Sequence, residues 1–149
     1  MVLRGPIANL KGQYVGIMMP ASAGAVVFYL ATLFAGKTPV MVNWTAGPRN
    51  MVGSLDLVGV EHILTSKAVV DKISSQGTDL SGLRERFVFA ERLVGGVSRW
   101  SRLGGWLAGH LSWASLKKAK ISETAVVIFT SGSETVSYTH LTLPTTPYV

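Results

Sequence analysis

From Gly12 to Gly36 the chain carries no charged side chain. A stretch of that length can cross a bilayer as one helix, so it decides between a membrane span and a buried strand–helix unit. Pro20 and Ser22 divide it. Proline breaks a helix interior, and serine favours a helix start over a helix middle. Before the break, YVGIMM has the length of a strand. After it, AGAVVFYLATLFAG has 14 residues, which suits a core helix better than a spanning one. Ser22 is placed to cap that helix and Gly36 to end it. The helix is apolar nearly all round and is expected to be buried. A signal peptide fits less well, because YVGIMM is short for its apolar region, although ASA resembles a cleavage site.

The alternation continues along the chain. TPVMVN, HILT, RFVFA and AVVIF are further short apolar runs. GPRNMVGSLDLVG reads as a helix with Pro48 in its first turn. SKAVVDKISSQ reads as another, capped by Ser66, with Val69, Val70 and Ile73 facing inward. Short strands separated by helices imply βαβ crossovers: an α/β fold with a mostly parallel sheet and helices on both faces. Continuous apolar runs such as AVVIF fit strands covered on both sides. SQGTDLSG and SLKKAKISET read as linkers.

The totals remove several function classes. With 149 residues, 48% apolar and 15% charged, the chain can build one real core. The absence of cysteine excludes disulfides, thiolate metal sites and a cysteine nucleophile. His62, His110 and His140 show no metal-ligand spacing, so no metal site is assigned. The formal charge of +6 is scattered apart from Lys117, Lys118 and Lys120. No basic stripe alternates with aromatics, so nucleic acid is not an expected partner. Between Gly95 and Leu116, Val97, Trp100, Leu103, Leu107 and Leu111 recur near helical spacing, with Arg99 and Arg102 off that stripe. This segment is expected to be an amphipathic helix packed on the sheet; with Trp106 and Trp113, a peripheral contact with a membrane is the alternative.

AVVIF runs directly into TSGSE. In open α/β sheets, ligands bind beyond the carboxyl ends of the strands. There Thr130, Ser131 and Ser133 offer hydroxyl donors, and Gly132 permits backbone conformations that other residues resist. Successive N–H groups in such a bend form an anion-binding concavity. The same residue types also make ordinary turns, so the four residues alone leave both readings open. Neither GxxxxGK[ST] nor G-x-S-x-G is present.

AVVIFTSGSE resembles the phosphate-loop signature of acyl-adenylate-forming (AMP-binding) enzymes, in which TSG is followed by Ser or Thr, Thr or Glu, and then Gly-x-Pro-Lys-Gly. Glu134 is the variant associated with fatty-acid-activating members. VGIMMPASAGAVVFYLATLFAGKTPVMVNWTAGPRNM and HILTSKAVVDKI are similar to the synthetase half of the bacterial acyl-ACP synthetase/2-acylglycerophosphoethanolamine acyltransferase proteins and to long-chain acyl ligases. The likeness spans about Gly12 to Glu134. It implies a fatty acid–ACP or –CoA ligase using ATP and Mg2+. A fatty carboxylate attacks the α-phosphate of ATP, pyrophosphate leaves, and the thiol of acyl carrier protein or coenzyme A takes the acyl group. It further implies that Thr130, Ser131, Gly132, Ser133 and Glu134 hold the ATP phosphates. A cytoplasmic location, at the inner face of a bacterial membrane in some members, comes with the same resemblance. Asn43 and Trp44, in the loop after the second strand, are expected to shape that loop first and touch ligand second.

Thr135–Thr139 stand where the family has Gly-x-Pro-Lys-Gly, so the lysine expected to close over the phosphates is missing. The tail VSYTHLTLPTTPYV has no Asp, Glu, Lys or Arg but four threonines and two prolines. VSYTHLTLPT matches one reading frame of a mosaic-end adapter used in transposase-based sequencing libraries. Residues 1–134 are therefore expected to be part of an AMP-binding amino-terminal domain, and 135–149 a non-native tail. On this reading no catalytic residue lies in the chain, and it is expected to be inactive alone. Two further readings remain: a small phosphate- or nucleotide-binding module complete as written, and a peripheral membrane module.

Overall fold

The computed structural model describes residues 3–96 and 121–129. Five strands, β1 (Tyr14–Ile17), β2 (Thr38–Met41), β3 (His62–Thr65), β4 (Phe87–Phe89) and β5 (Val127–Ile128), form one sheet in the order β4-β3-β1-β2-β5. Every pairing is parallel. The expected α/β architecture is therefore present. Five α-helices surround the sheet among the described residues: α1 (Arg4–Ala8), α2 (Ala23–Phe34), α3 (Pro48–Val58), α4 (Lys67–Ser75) and α5 (Ala90–Gly95).

The chain steps from β1 to β2 in one direction, then back past β1 to β3 and on to β4. Uniform crossover handedness requires a helix to change face when the direction reverses. The packing agrees. Met51 and Leu55 of α3 and Ile73 of α4 share a core with Val40, Ile63 and Val127. Phe28 and Ala31 of α2 share the other with Val15, Ile17 and Leu64. Neighbouring positions on a strand thus serve opposite faces, as the pleat demands.

Local chemistry explains the helix ends. Ser22 and Ser66 have extended backbones and accept from Ala25 N–H and Val69 N–H, each at 3.3 Å. Pro48 opens α3, and Gly36 follows α2 with φ +79°, a left-handed conformation. α2 is not buried all round as its composition suggests. Ala25, Phe28, Ala31 and Thr32 turn inward, while Val26, Val27 and Leu30 are exposed. A helix on a sheet presents only one side to it, so uniform apolarity does not ensure uniform burial. Buried Thr32 satisfies its hydroxyl by donating to Phe28 O at 2.8 Å.

Regular structure extends beyond the expected elements, into the lead before β1 and into one segment read as a linker. α1 lies in the lead before β1 and anchors through Ile7, which is fully buried. Within SQGTDLSG, Leu80 is buried and a 3-10 turn begins at Ser81. Asp79 accepts the Ser81 N–H at 2.9 Å, and this bond holds its carboxyl below the ordinary value of 3.8. Residues 97–116 of the expected amphipathic helix lie outside the described residues. No helix among the described residues is long and apolar enough to cross a membrane.

Candidate functional site

A parallel sheet brings the carboxyl ends of all its strands to one edge, and the helix after each strand begins there. β1 and β3 are pinned together at this edge. Met18 N–H donates to Leu64 O at 2.9 Å, and the buried Thr65 hydroxyl donates back to Met18 O at 2.9 Å. Val42 N–H extends the β1–β2 pairing by donating to Ile17 O at 3.0 Å. The direction of travel reverses on either side of β1, which makes the β1/β3 boundary the switch point where such sheets open a crevice.

Asn43 shapes the loop after β2. Its side-chain oxygen accepts from Thr45 N–H at 3.0 Å and from the Thr45 hydroxyl at 2.6 Å, starting a 3-10 turn at Trp44. Trp44 lines a cleft of about 200 Å³ with Pro20, Val69, Lys72, Ile73 and Gln76. Lys72 lies on α4 and Gln76 caps its end; neither belongs to a motif, so nothing in the sequence singled them out.

The edge is electrostatically suited to anions. α2, α3 and α4 begin at it, and none has an acidic residue in its first turn. One of the three is already engaged: Glu91 of α5 accepts Lys67 N–H, the first amide of α4, at 3.1 Å. Among the described residues, no carboxylate accepts an N–H at the start of α2 or α3.

A larger cleft, about 380 Å³, lies at the opposite edge among Asp56, Gly59, Val60, Glu61, Glu85 and Arg86. Its size does not make it the better candidate. Arg86 is already paired with Asp56 at 2.6 Å and donates to Val60 O at 3.1 Å, and the other charged groups there are carboxylates. An anionic ligand would meet net repulsion.

β5 delivers the chain to the favourable edge. Val127 pairs with Val40 and Ile128 with Met41, so the strand runs parallel to β2 toward its carboxyl end. Two hydrogen bonds fix its approach: Tyr29 OH donates to Ala125 O at 3.3 Å, and the Thr38 and Ser122 hydroxyls meet at 2.6 Å. Phe129 packs against the α3-side core. Thr130, Ser131, Gly132, Ser133 and Glu134 follow it directly and lie outside the described residues. Among the described residues no group of three or more His, Cys, Asp or Glu stands where it holds an ion. None is therefore assigned to Mg2+.

The family model for AMP-binding enzyme matches residues 8–136, a span that takes in all five strands and the hydroxyl-rich stretch after β5. The parallel sheet, its helices on both faces and this extended match agree, and the chain belongs to the AMP-binding enzyme family, the acyl-adenylate-forming superfamily.

Proposed function

We propose that this chain is part of a fatty acid ligase, in which Thr130, Ser131, Gly132, Ser133 and Glu134 form the loop that holds the phosphates of ATP. One observation supports the reading: the family match runs through β5 and on past TSGSE, and β5, which directly precedes that stretch in sequence, runs toward the anion-favouring edge of the sheet. A carboxylate oxygen of the fatty acid bonds to the α-phosphorus, and the bond from that phosphorus to the bridging oxygen breaks. Negative charge gathers on the departing pyrophosphate. Hydroxyls of Thr130, Ser131 and Ser133, with the backbone N–H groups of the bend, donate to its oxygens and stabilise that charge. A thiolate then attacks the acyl carbonyl, and AMP leaves. Acyl carrier protein and coenzyme A are the two acceptors proposed. Mg2+, when bound, offsets phosphate charge; no residue of this chain is assigned to it.

Residues 1–134 are proposed as part of the AMP-binding domain and 135–149 as foreign to it. The source DNA read beyond the codon for Glu134 is expected to resume with Gly-x-Pro-Lys-Gly. Protein from that longer frame should exchange pyrophosphate into ATP in the presence of long-chain fatty acids. Ser131→Ala with Ser133→Ala should lower kcat by about 10²–10³. Exchange driven by a different class of carboxylate, with fatty acids inert, would refute the substrate. Unchanged kcat in the double variant would refute the loop's role.

A further inference from the structure

The segment before β1 is joined to the fold mainly through one apolar anchor and one buried cation. α1, with Gly5 and Pro6 among its five residues, has low helix propensity and no side-chain cap. The backbone N–H groups of Ile7, Asn9 and Leu10 donate within the segment, to Leu3 O, Gly5 O and Ile7 O. Ile7 is fully buried in the α2-side core, with Leu3 and Leu10 half-buried against it. Two hydrogen bonds tie residues 3–12 to the rest of the described fold, and both come from Lys37. Its Nζ donates to Leu10 O at 2.8 Å and to Gly12 O at 2.6 Å.

Lys37 is 9% exposed, and the ion pair among the described residues, Arg86 with Asp56, does not involve it. A buried ammonium is costly unless its N–H groups find acceptors, and the bonds it donates are stronger than those of a neutral donor. Its own footing is independent of the segment it holds. Gly36 takes the left-handed φ of +79°, and Lys37 N–H donates to Thr32 O at 3.1 Å, which fixes the turn from α2 to β2. The chain entering β1 is fixed to the same turn. Gln13 O accepts Thr38 N–H at 2.9 Å, and the Gln13 side-chain amide donates to Gly36 O at 3.2 Å. Between Gln13 and the segment lies Gly12, at φ +76°, where glycine reorients at least cost.

We propose that residues 3–12 are a strap, hinged at Gly12 and latched by the Lys37 ammonium, that lifts from the α2-side core as one unit. Lifting withdraws Ile7 from the core it shares with Val15, Phe28 and Leu64, while β1 keeps its pairings with β2 and β3. A segment held at so few points opens at a lower free energy than the whole fold. The proposal is independent of the ligase reading.

Amide hydrogen exchange on the full chain tests it. In the native protein the Ile7, Asn9 and Leu10 amides should exchange together, faster than those of Met18 and Val42, which extend β1 and β2. Their rates should depend little on added urea, because little surface is exposed. Lys37→Met should speed the strap amides by about tenfold or more, since two carbonyls lose a charged donor, and leave Met18 and Val42 unchanged. In Lys37→Ala, propylammonium replaces the missing atoms and should slow the strap amides again. Tetramethylammonium, a cation without an N–H, should not. Equal rates and equal urea dependence for strap and strand amides in the native protein would overturn the strap. Lys37→Met that speeds both sets alike, or neither, would overturn the latch. So would two cations that act alike on Lys37→Ala.

Discussion

The two faces of the sheet differ in what closes them. Under α3 and α4, side chains close in sequence supply most of the layer: Met51, Leu55, Val60, Ile63, Ile73, Leu80 and Leu83 are all buried, and Val127 of β5 joins them. Under α2, the inner side of one helix, α1 and a short α5 supply the core, while Val26, Val27 and Leu30 on the outer side of α2 are exposed. The first face is built by successive crossovers, each helix following the strand it covers. The second is closed, among the described residues, on the inner side of α2 only. Among the described residues, the α3/α4 face is thus the more completely packed of the two.

The largest effect is expected where the complete face is opened. Leu55 is 1% exposed, and Leu55→Ala should cost about 2–5 kcal/mol, from lost burial plus the cavity left behind. Urea unfolding should show a lower midpoint at unchanged slope. A loss below about 1 kcal/mol would mean that α3 is no better packed than a surface helix, and the contrast between the faces would collapse.

A smaller effect probes how tightly that face meets the sheet. A Cβ on Gly16 of β1 would sit 3.0 Å from Ile63 Cγ1 and 3.3 Å from both Val42 Cγ2 and Val60 Cγ1. Gly16→Ala therefore overpacks the central strand and should cost about 1–3 kcal/mol. Gly53, within α3, has nothing within 4 Å of the same added atom. Gly53→Ala should instead stabilise by roughly 0.5–1 kcal/mol, through helix propensity alone. Thermal unfolding of the pair should move in opposite directions; a shift of the same sign would show that the α3 face has slack at β1.

The strands and helices of the central βαβ units were legible because each signal is local. Ser22, Ser66, Pro48 and Gly36 mark helix ends by their own backbone chemistry, and apolar runs mark β1, β2 and β3. What was not legible depends on partners far along the chain. α1 contains Gly5 and Pro6 and has little helix propensity; burial of Ile7 holds it in place. Leu80 sits in a polar stretch that reads as a linker, yet it seals the α4 side of the core. The exposed side of α2 could not be told from its buried side, because every residue there is apolar or small. At the site, Asn43 was legible as a loop former from its place after a strand. Lys72 and Gln76 were not, since only the fold brings α4 beside Trp44. The TSGSE stretch was singled out through its resemblance to the family signature; it follows β5 in sequence and lies outside the described residues.

The smallest effect separates the two faces at their helix starts. Ser22 and Ser66 make the same cap bond at the same 3.3 Å, so geometry alone would make Ser22→Ala and Ser66→Ala equal. Their surroundings differ. At the start of α4, Glu91 already accepts Lys67 N–H, and its negative charge stays beside the positive end of that helix when Ser66 is removed. The first turn of α2 has no acidic residue to do the same. Ser22→Ala should therefore cost about 1–2 kcal/mol and Ser66→Ala about 0.5–1 kcal/mol, with Asp at either position restoring most of the loss. Combining Ser66→Ala with Glu91→Gln should bring the α4 loss up to that of α2. If Ser66→Ala proves the costlier change, Glu91 is not acting on α4, and the start of α2 has another acceptor in its place.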